Sequence, residues 1–360
     1  MHTKILNFLT VLVFIFSVNI LAQEHGHDKE NHQVAEHGEK LSIKDEIKAE
    51  IKHHLQDNHD FHIVGDISIP LPIILWDNGL HVFMSSKFEE GHAVAEDNGN
   101  YYKIAHENGH IYKTDASGVI HLNENGFPTN DKPLDFSITK TVVMIILTGL
   151  LMFLLFGGLA KSYVKNGGIG KGAGRFFEPI VLFIRDEIAI PNIGEKHYKK
   201  YMSFLLTIFF FIWFVNLFGL TPLGVNVTGN IAITAALAIL TYLITTFTAK
   251  KNYWKHIFWM PGVPTMMKFI LAPIELLGTF IKPFALTMRL YANMFAGHVV
   301  LMSIVGLIFI YKSWVGGSLS FGLAFGLSIL ELLVAALQAY IFTVLSALYF
   351  GSAVEEHDEH

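Results

Sequence analysis

The chain contains no cysteine, which excludes disulfides, thiolate metal sites and cysteine nucleophiles together. Charge is scarce as well. Asp, Glu, Lys and Arg make up 16% of the 360 residues, apolar types exceed half, Phe alone contributes 30, and the mean hydropathy is positive. That balance is unusual for a soluble globular chain and points to a membrane protein. The remaining charge sums to a mild formal net of -5, which singles out no partner class, and no nucleic-acid partner is expected. A phosphate loop is missing too. The run GGIGKGAG at 167–174 has Gly172 where Ser or Thr must follow Lys171, and Lys165 where glycine is required. It reads as a flexible connector, and no cofactor is implied.

The apolar residues are clustered. Runs with few charges occur near 138–160, 201–220, 231–249, 284–310 and 319–350, each long enough to cross a hydrocarbon core. Five spans are therefore expected. At the N-terminus, His2 and Lys4 precede an apolar run from Ile5 to Ala22, followed abruptly by QEHGHDKENHQ, the order of a secretory signal. Cleaved, or retained as an anchor, segment 1–22 places 23–137 outside the cytoplasm. Lys161, Lys165, Lys171 and Arg175 follow the first span, and Lys250, Lys251 and Lys255 follow the third. Both basic clusters belong inside. Five crossings then leave the acidic tail EEHDEH in the cytoplasm of a bacterial cell, with the spans in its inner membrane.

Residues 23–137 open with a His-rich tether and an amphipathic helix around 42–56, where Ile43, Ile47, Ile51 and Leu55 recur every fourth position and Ser42 with Asp45 suits a capping box. Beyond it, Asn-Gly pairs begin at Asn78, Asn98, Asn108 and Asn125, the signature of tight hairpins. A small, β-rich extracytoplasmic domain is expected. Within it, His106, Glu107 and His110 spell the H-E-x-x-H of zinc proteases, which needs a helix to put both histidines on one face. The residues between are Asn108 and Gly109, a strong hairpin turn, so that helix is not expected. The thirteen histidines between Gln23 and Ser137 read as a solvated surface or tether, and no metal site is assigned.

The segment RFFEPIVLFIRDEIAIPNIGEKHYKKY at 175–201 interleaves apolar residues with Arg175, Glu178, Arg185, Asp186 and Glu187. It reads as an amphipathic helix on the inner membrane surface that Pro191 stops. Spans two and three are nearly free of charge and read as scaffold. Polar residues concentrate in the last third. Arg289 lies in FALTMRLYANMFAGHVVLMSIVGLIFI at 284–310, where a guanidinium costs about 3 kcal/mol or more, keeps its proton, and is tolerated mainly where it serves an ion pathway. His298 is nine residues on, about 13.5 Å along a helix and on roughly the opposite face, so it marks a separate site. Glu331 and Gln338 are seven apart and share a face, with about 10.5 Å between them. Asn293 is one turn from Arg289, Glu275 lies near the inner boundary, and Lys268 and Lys282 read as interfacial snorkels.

Together, R-L-x-x-N-M-x-A-G-H from Arg289 and E-x-x-x-x-x-x-Q-A-Y-I-F from Glu331 resemble subunit a of the membrane sector of F-type ATP synthases, and the stretch from Arg185 to Thr234 is similar to the same family. The likeness covers roughly 136–360 and leaves the extracytoplasmic domain outside it. It implies a mainly α, polytopic fold: five transmembrane helices, the last two long and tilted, plus the surface helix. It also implies the role of a stator without catalytic chemistry of its own, giving two proton half-channels to a ring of c subunits. Arg289 matches the essential arginine of that family, a fixed cation that drives proton release from the ring carboxyl and blocks a leak between half-channels. His298 and Glu331 would form an aqueous relay with Gln338 added to the path, Asn293 would orient the guanidinium or pack between helices, and Glu275 would line the cytoplasmic exit or sit as a simple interfacial glutamate. The implied partners are the c ring, the b stalk, the remaining ATP synthase subunits through them, and the lipid bilayer. The alternative is a standalone ion transporter or channel with a His-rich metal-sensing outer domain, in which Arg289 binds an anion. No inverted repeat or matched pair of broken helices supports it. A membrane-anchored zinc protease built on HENGH is weaker still.

Overall fold

The computed structural model describes residues 57–64, 67–105, 108–123, 127–165, 167, 174–221, 225–260, 263–310 and 314–355. The expected signal segment, the helix at 42–56, the Asn125-Gly126 pair, most of the glycine connector and the last five residues lie outside them. Two compact units are present. One holds the described residues up to Ile146 with those of Phe218–Val225 and Val299–Ser328, and the other holds Leu147–Leu217, Asn226–His298 and those from Ile329 onward.

The N-terminal part is β-rich. β1 (Asp60–Val64) pairs with β2 (Ile67–Pro70), β3 (Pro72–Trp76) lies between β4 (Leu80–Met84) and β8 (Leu134–Asp135), and β6 (Asn100–Ile104) lies between β5 (Ala95–Asp97) and β7 (Ile111–Thr114), all antiparallel. The Asn-Gly pairs do the turning. Asp97 pairs with Asn100 across a two-residue loop in which Asn98 (φ 52°) and Gly99 (φ 79°) are both left-handed, the type I′ geometry that matches strand twist. Asn78 takes φ 52° between β3 and β4, and Gly109 takes φ 71° between β6 and β7. Ile104 pairs with Ile111 across the Gly109 turn, and the Gly109 amide donates to the Ala105 carbonyl; His106 and Glu107 of the HENGH run lie outside the described residues. Ile73, Leu75 and Phe83 of one sheet meet Tyr102, Ile111 and Ala95 of another in a core closed by Phe88 of a short 3-10 helix (Ser85–Gly91).

Seven α-helices follow among the described residues. Five are long and apolar enough to cross a membrane: α1 (Lys140–Lys165), α3 (Tyr198–Gly219), α4 (Ile231–Thr248), α6 (Thr265–Ile310) and α7 (Trp314–Val354). α2 (Gly174–Phe183) and the short α5 (Lys251–Phe258) complete the set. Asp57 caps α1 from outside, accepting from the Thr139 hydroxyl and from the Thr141 amide and hydroxyl. A carboxylate suits the positive end of the helix.

Pro191 does not stop the helix after Arg175. α2 continues through a π-helical turn (Ile184–Ala189) into a last turn (Ile190–Ile193), and ends at Gly194 with φ 88°. The Ile190 amide bonds the Arg185 carbonyl, five residues back. That wider turn makes room for the proline ring, and Pro191 has no amide to leave unpaired. Ile184, Ile188 and Ile193 are buried, while Asp186 and Glu187 are exposed, so the expected amphipathic division holds. Helix α7 approaches this segment closely: a Cβ on Gly351 would overlap the carbonyl oxygen of Asn192.

Candidate functional site

α6 has 46 residues and α7 has 41. At 1.5 Å per residue they extend about 69 and 62 Å, roughly twice a 30 Å hydrocarbon core and more than one perpendicular crossing needs. α6 passes through Pro273 and Pro283 without interruption. The Thr287 hydroxyl donates to the Pro283 carbonyl.

On α6, Leu286, Leu290, Met294 and His298 recur every fourth residue as a buried stripe, whereas Arg289 and Asn293 are exposed. Arg289 makes no hydrogen bond or ion pair among the described residues; its electrostatic neighbour is Tyr349 on α7. The guanidinium therefore leaves the helix on the side away from His298, as their nine-residue separation requires. Asn293 makes no bond to it.

On α7 the buried seam runs Glu331, Ala335, Gln338, Ala339, Phe342, Thr343, Ser346, Ala347 and Phe350, the spacing of one helical face. Small residues in that seam admit close helix approach. Glu331 is 6% exposed, Gln338 4% and His298 7%. A Cβ on Gly297 would lie 2.6 Å from Glu331 Oε1; the carboxyl thus rests on the α6 backbone one residue from His298. Neither Glu331 oxygen nor His298 Nε2 has a hydrogen-bond partner in the protein among the described residues. Imidazole and carboxyl share one buried locality, unpaired.

Two polar residues of the loop after α3, Asn226 and Thr228, and one inside that span, Asn216, were not among the expected site residues. Asn226 donates through Nδ2 to the Met294 carbonyl at 3.4 Å, the same carbonyl that an α-helix bonds to the His298 amide. The Thr228 hydroxyl donates to Asn216 Oδ1 at 2.6 Å, and Asn216 Nδ2 is buried without an acceptor among the described residues. The available signal was Asn216 itself, an amide inside an apolar span, which is expensive unless used. Gly297 carried no comparable signal, because its role depends on a side chain 34 residues away.

Nearer the start of α6, a narrow cleft is lined by Thr241, Tyr242 and Tyr253 with Thr279, Lys282 and Tyr349. Lys282 is half-buried, its Nζ 5.4 Å from the Tyr349 ring centroid, so it serves the helix interior and not only the interface. Lys268, by contrast, stacks on Trp259 at 4.5 Å. Glu275 is half-buried and within electrostatic reach of Lys282 and Tyr253. Among the described residues no three His, Asp or Glu side chains are grouped to hold a metal.

Five crossing helices with ionisable groups inside two of them define an integral membrane protein built around an ion path. The family model for the ATP synthase A chain matches residues 142–351. Curated proteins named ATP synthase subunit a align closely: that of Chloroherpeton thalassium is 42% identical over 70% of this chain and 75% of its own length, and that of Myxococcus xanthus 43% identical over 64% and 78%. A third, ATP synthase subunit a 2 of Chlorobaculum tepidum, is 43% identical over 67% of this chain and 68% of its own length. The chain belongs to the family of subunit a of the membrane, proton-translocating sector of F-type ATP synthases. Residues 50–136 match a separate family described only as a domain of unknown function.

Proposed function

We propose that this chain supplies two proton half-channels to a rotating c ring, with Arg289 as the barrier between them. One observation carries the proposal: among the described residues a permanently charged side chain is exposed and unpaired on a membrane-crossing helix, while His298 and Glu331 lie buried and unpaired away from it. An exposed cation in a span requires a partner outside the chain, and a moving carboxylate meets that need. As a carboxyl arrives, Arg289 favours its ionised form and drives proton release. Since a guanidinium does not give up its own proton, no proton crosses directly.

His298 and Glu331 exchange protons with water on one side, with Asn216, Asn226 and Gln338 as neutral hydrogen-bonding neighbours. The cleft at Lys282 and Tyr349, with Glu275, serves the other side. Lys161, Lys165, Lys250, Lys251 and Lys255 support a cytoplasmic position for the loops after α1 and α4, which leaves the N-terminal β domain extracytoplasmic and the C-terminus inside. The c ring faces Arg289, a b stalk holds the stator, and the chain itself performs no bond chemistry.

Arg289→Ala tests this in the intact complex. Proton-driven ATP synthesis should vanish while assembly and uncoupled ATP hydrolysis persist, and Arg289→Lys should rescue poorly, because a desolvated amine surrenders its proton. Substantial coupled synthesis in the alanine variant would overturn the assignment.

A further inference from the structure

The β4-β3-β8 sheet buries one face and leaves an apolar face bare. Inward go Ile73, Leu75 and Phe83. Outward, the register sets Leu80 and Leu134 on either side of Trp76, and Val82 across from Ile74. Trp76, Leu80, Val82, Met84 and Leu134 are 44–61% exposed, and Phe136, just past β8, is 64% exposed. No outward position on these strands carries a charge. A sheet with one face in water alternates apolar with polar residues. Strands apolar on both faces have something apolar on each, and a contiguous bare patch of this kind marks a docking or membrane surface.

The occupant follows from where the sheet is fastened. The Phe136 amide donates to the Ile74 carbonyl, the Ile138 amide to the Pro72 carbonyl, and the amide of Lys140, first residue of α1, to the Asn58 carbonyl. The sheet thus runs by continuous hydrogen bonding into a membrane-crossing helix, with Asp57 clamping the junction. Leu134 is six residues from α1, and at 3.3 Å per residue the bare face lies within about 20 Å of the point where the chain enters the bilayer. Phe136 is exposed just ahead of α1, and the next exposed apolar side chain along the chain is Ile146 on α1 itself, which is 60% exposed. Trp settles at the membrane boundary, and Phe and Leu suit the apolar face of an element lying there.

We propose that this face lies on the lipid surface at which α1 begins, so that the β domain is a monotopic rest that fixes the tilt of the first span. The chain has no cysteine, so Val82→Cys or Leu134→Cys places one probe site in it. The complex, labelled with an environment-sensitive fluorophore and reconstituted in phosphatidylcholine liposomes, would be quenched in turn by nitroxide lipid and by aqueous iodide. Ala116→Cys, on an exposed turn, is the control. Insertion to headgroup depth predicts about threefold more quenching by the lipid at either test site than at the control, and about threefold less by iodide. Equal iodide quenching at all three sites would show a water-facing sheet. Protection from both quenchers would show a protein partner on the face. Either result overturns the proposal.

Discussion

In the β domain, buried His81 holds Asp97 at 2.9 Å, and Asp77 accepts from Lys113 at 2.6 Å and from the Tyr102 hydroxyl at 3.2 Å. In the membrane helices, Glu331 and His298 are as deeply buried as His81 and bond nothing among the described residues. The first arrangement is what stability demands, because an unpaired buried ionisable group costs several kcal/mol. The second accepts that cost. Groups left unpaired in a span are free to exchange protons with water and with an approaching carboxyl, whereas a closed network such as Asp77–Lys113–Tyr102 holds its protons in place. Under the proposed relay, pairing and not burial separates structural from functional charge in this chain.

The comparison breaks most visibly in the helices. Glu331→Gln keeps shape and hydrogen-bonding capacity but removes the exchangeable proton. Proton flux per assembled complex should fall at least about tenfold, with complex yield unchanged. His298→Glu combined with Glu331→His should recover more flux than the two single losses predict. Strictly additive losses, read from ATP-driven proton pumping in vesicles, would mean the two groups do not share a path.

Gly297→Ala tests the geometry with a smaller effect. The added methyl displaces the flexible end of Glu331 and not a backbone atom, so flux should drop several-fold, by about 1 kcal/mol in barrier, while assembly persists. A normal pumping rate would show that the carboxyl does not work from its place against α6.

The smallest effect lies in the β domain. The Lys113 hydrogen bond holds the Asp77 carboxyl below the ordinary carboxylate range. A depressed value in the folded state means that the stabilisation is complete above about pH 4 and is lost as pH falls through the folded value. Lys113→Met should cost about 1 kcal/mol, given the partial exposure of the pair. It should also flatten the acid-induced rise in protease sensitivity of this segment within the intact complex. An unchanged acid profile would show that the pair is incidental.

How much of this was legible depended on distance along the chain. The five spans follow from apolar runs and the lone cation Arg289 from its place in one of them, since transfer energies act residue by residue. The hairpin at Asn98-Gly99 follows from two residues that tolerate positive φ. Pro191 misled because a single proline reads as a stop, whereas a π turn immediately before it relieves the clash. Asn216 read as part of an uncharged scaffold span because it carries no charge, and Asn226 lies in the loop beyond that span.

The pattern of this sequence by itself determined that the chain crosses a membrane, that hairpins precede the crossings, and that Arg289 and His298 leave α6 on opposite sides, for all of these rest on local periodicity and local cost. Only the tertiary structure decided that Glu331 rests on Gly297 beside His298, that Asn226 reaches the Met294 carbonyl, and that β3 and β4 present a bare apolar face on a sheet tied to α1. Those facts depend on how far each helix is rotated and how closely small residues let it approach its neighbour. Such quantities are set by packing between segments distant in sequence, and no single segment encodes them.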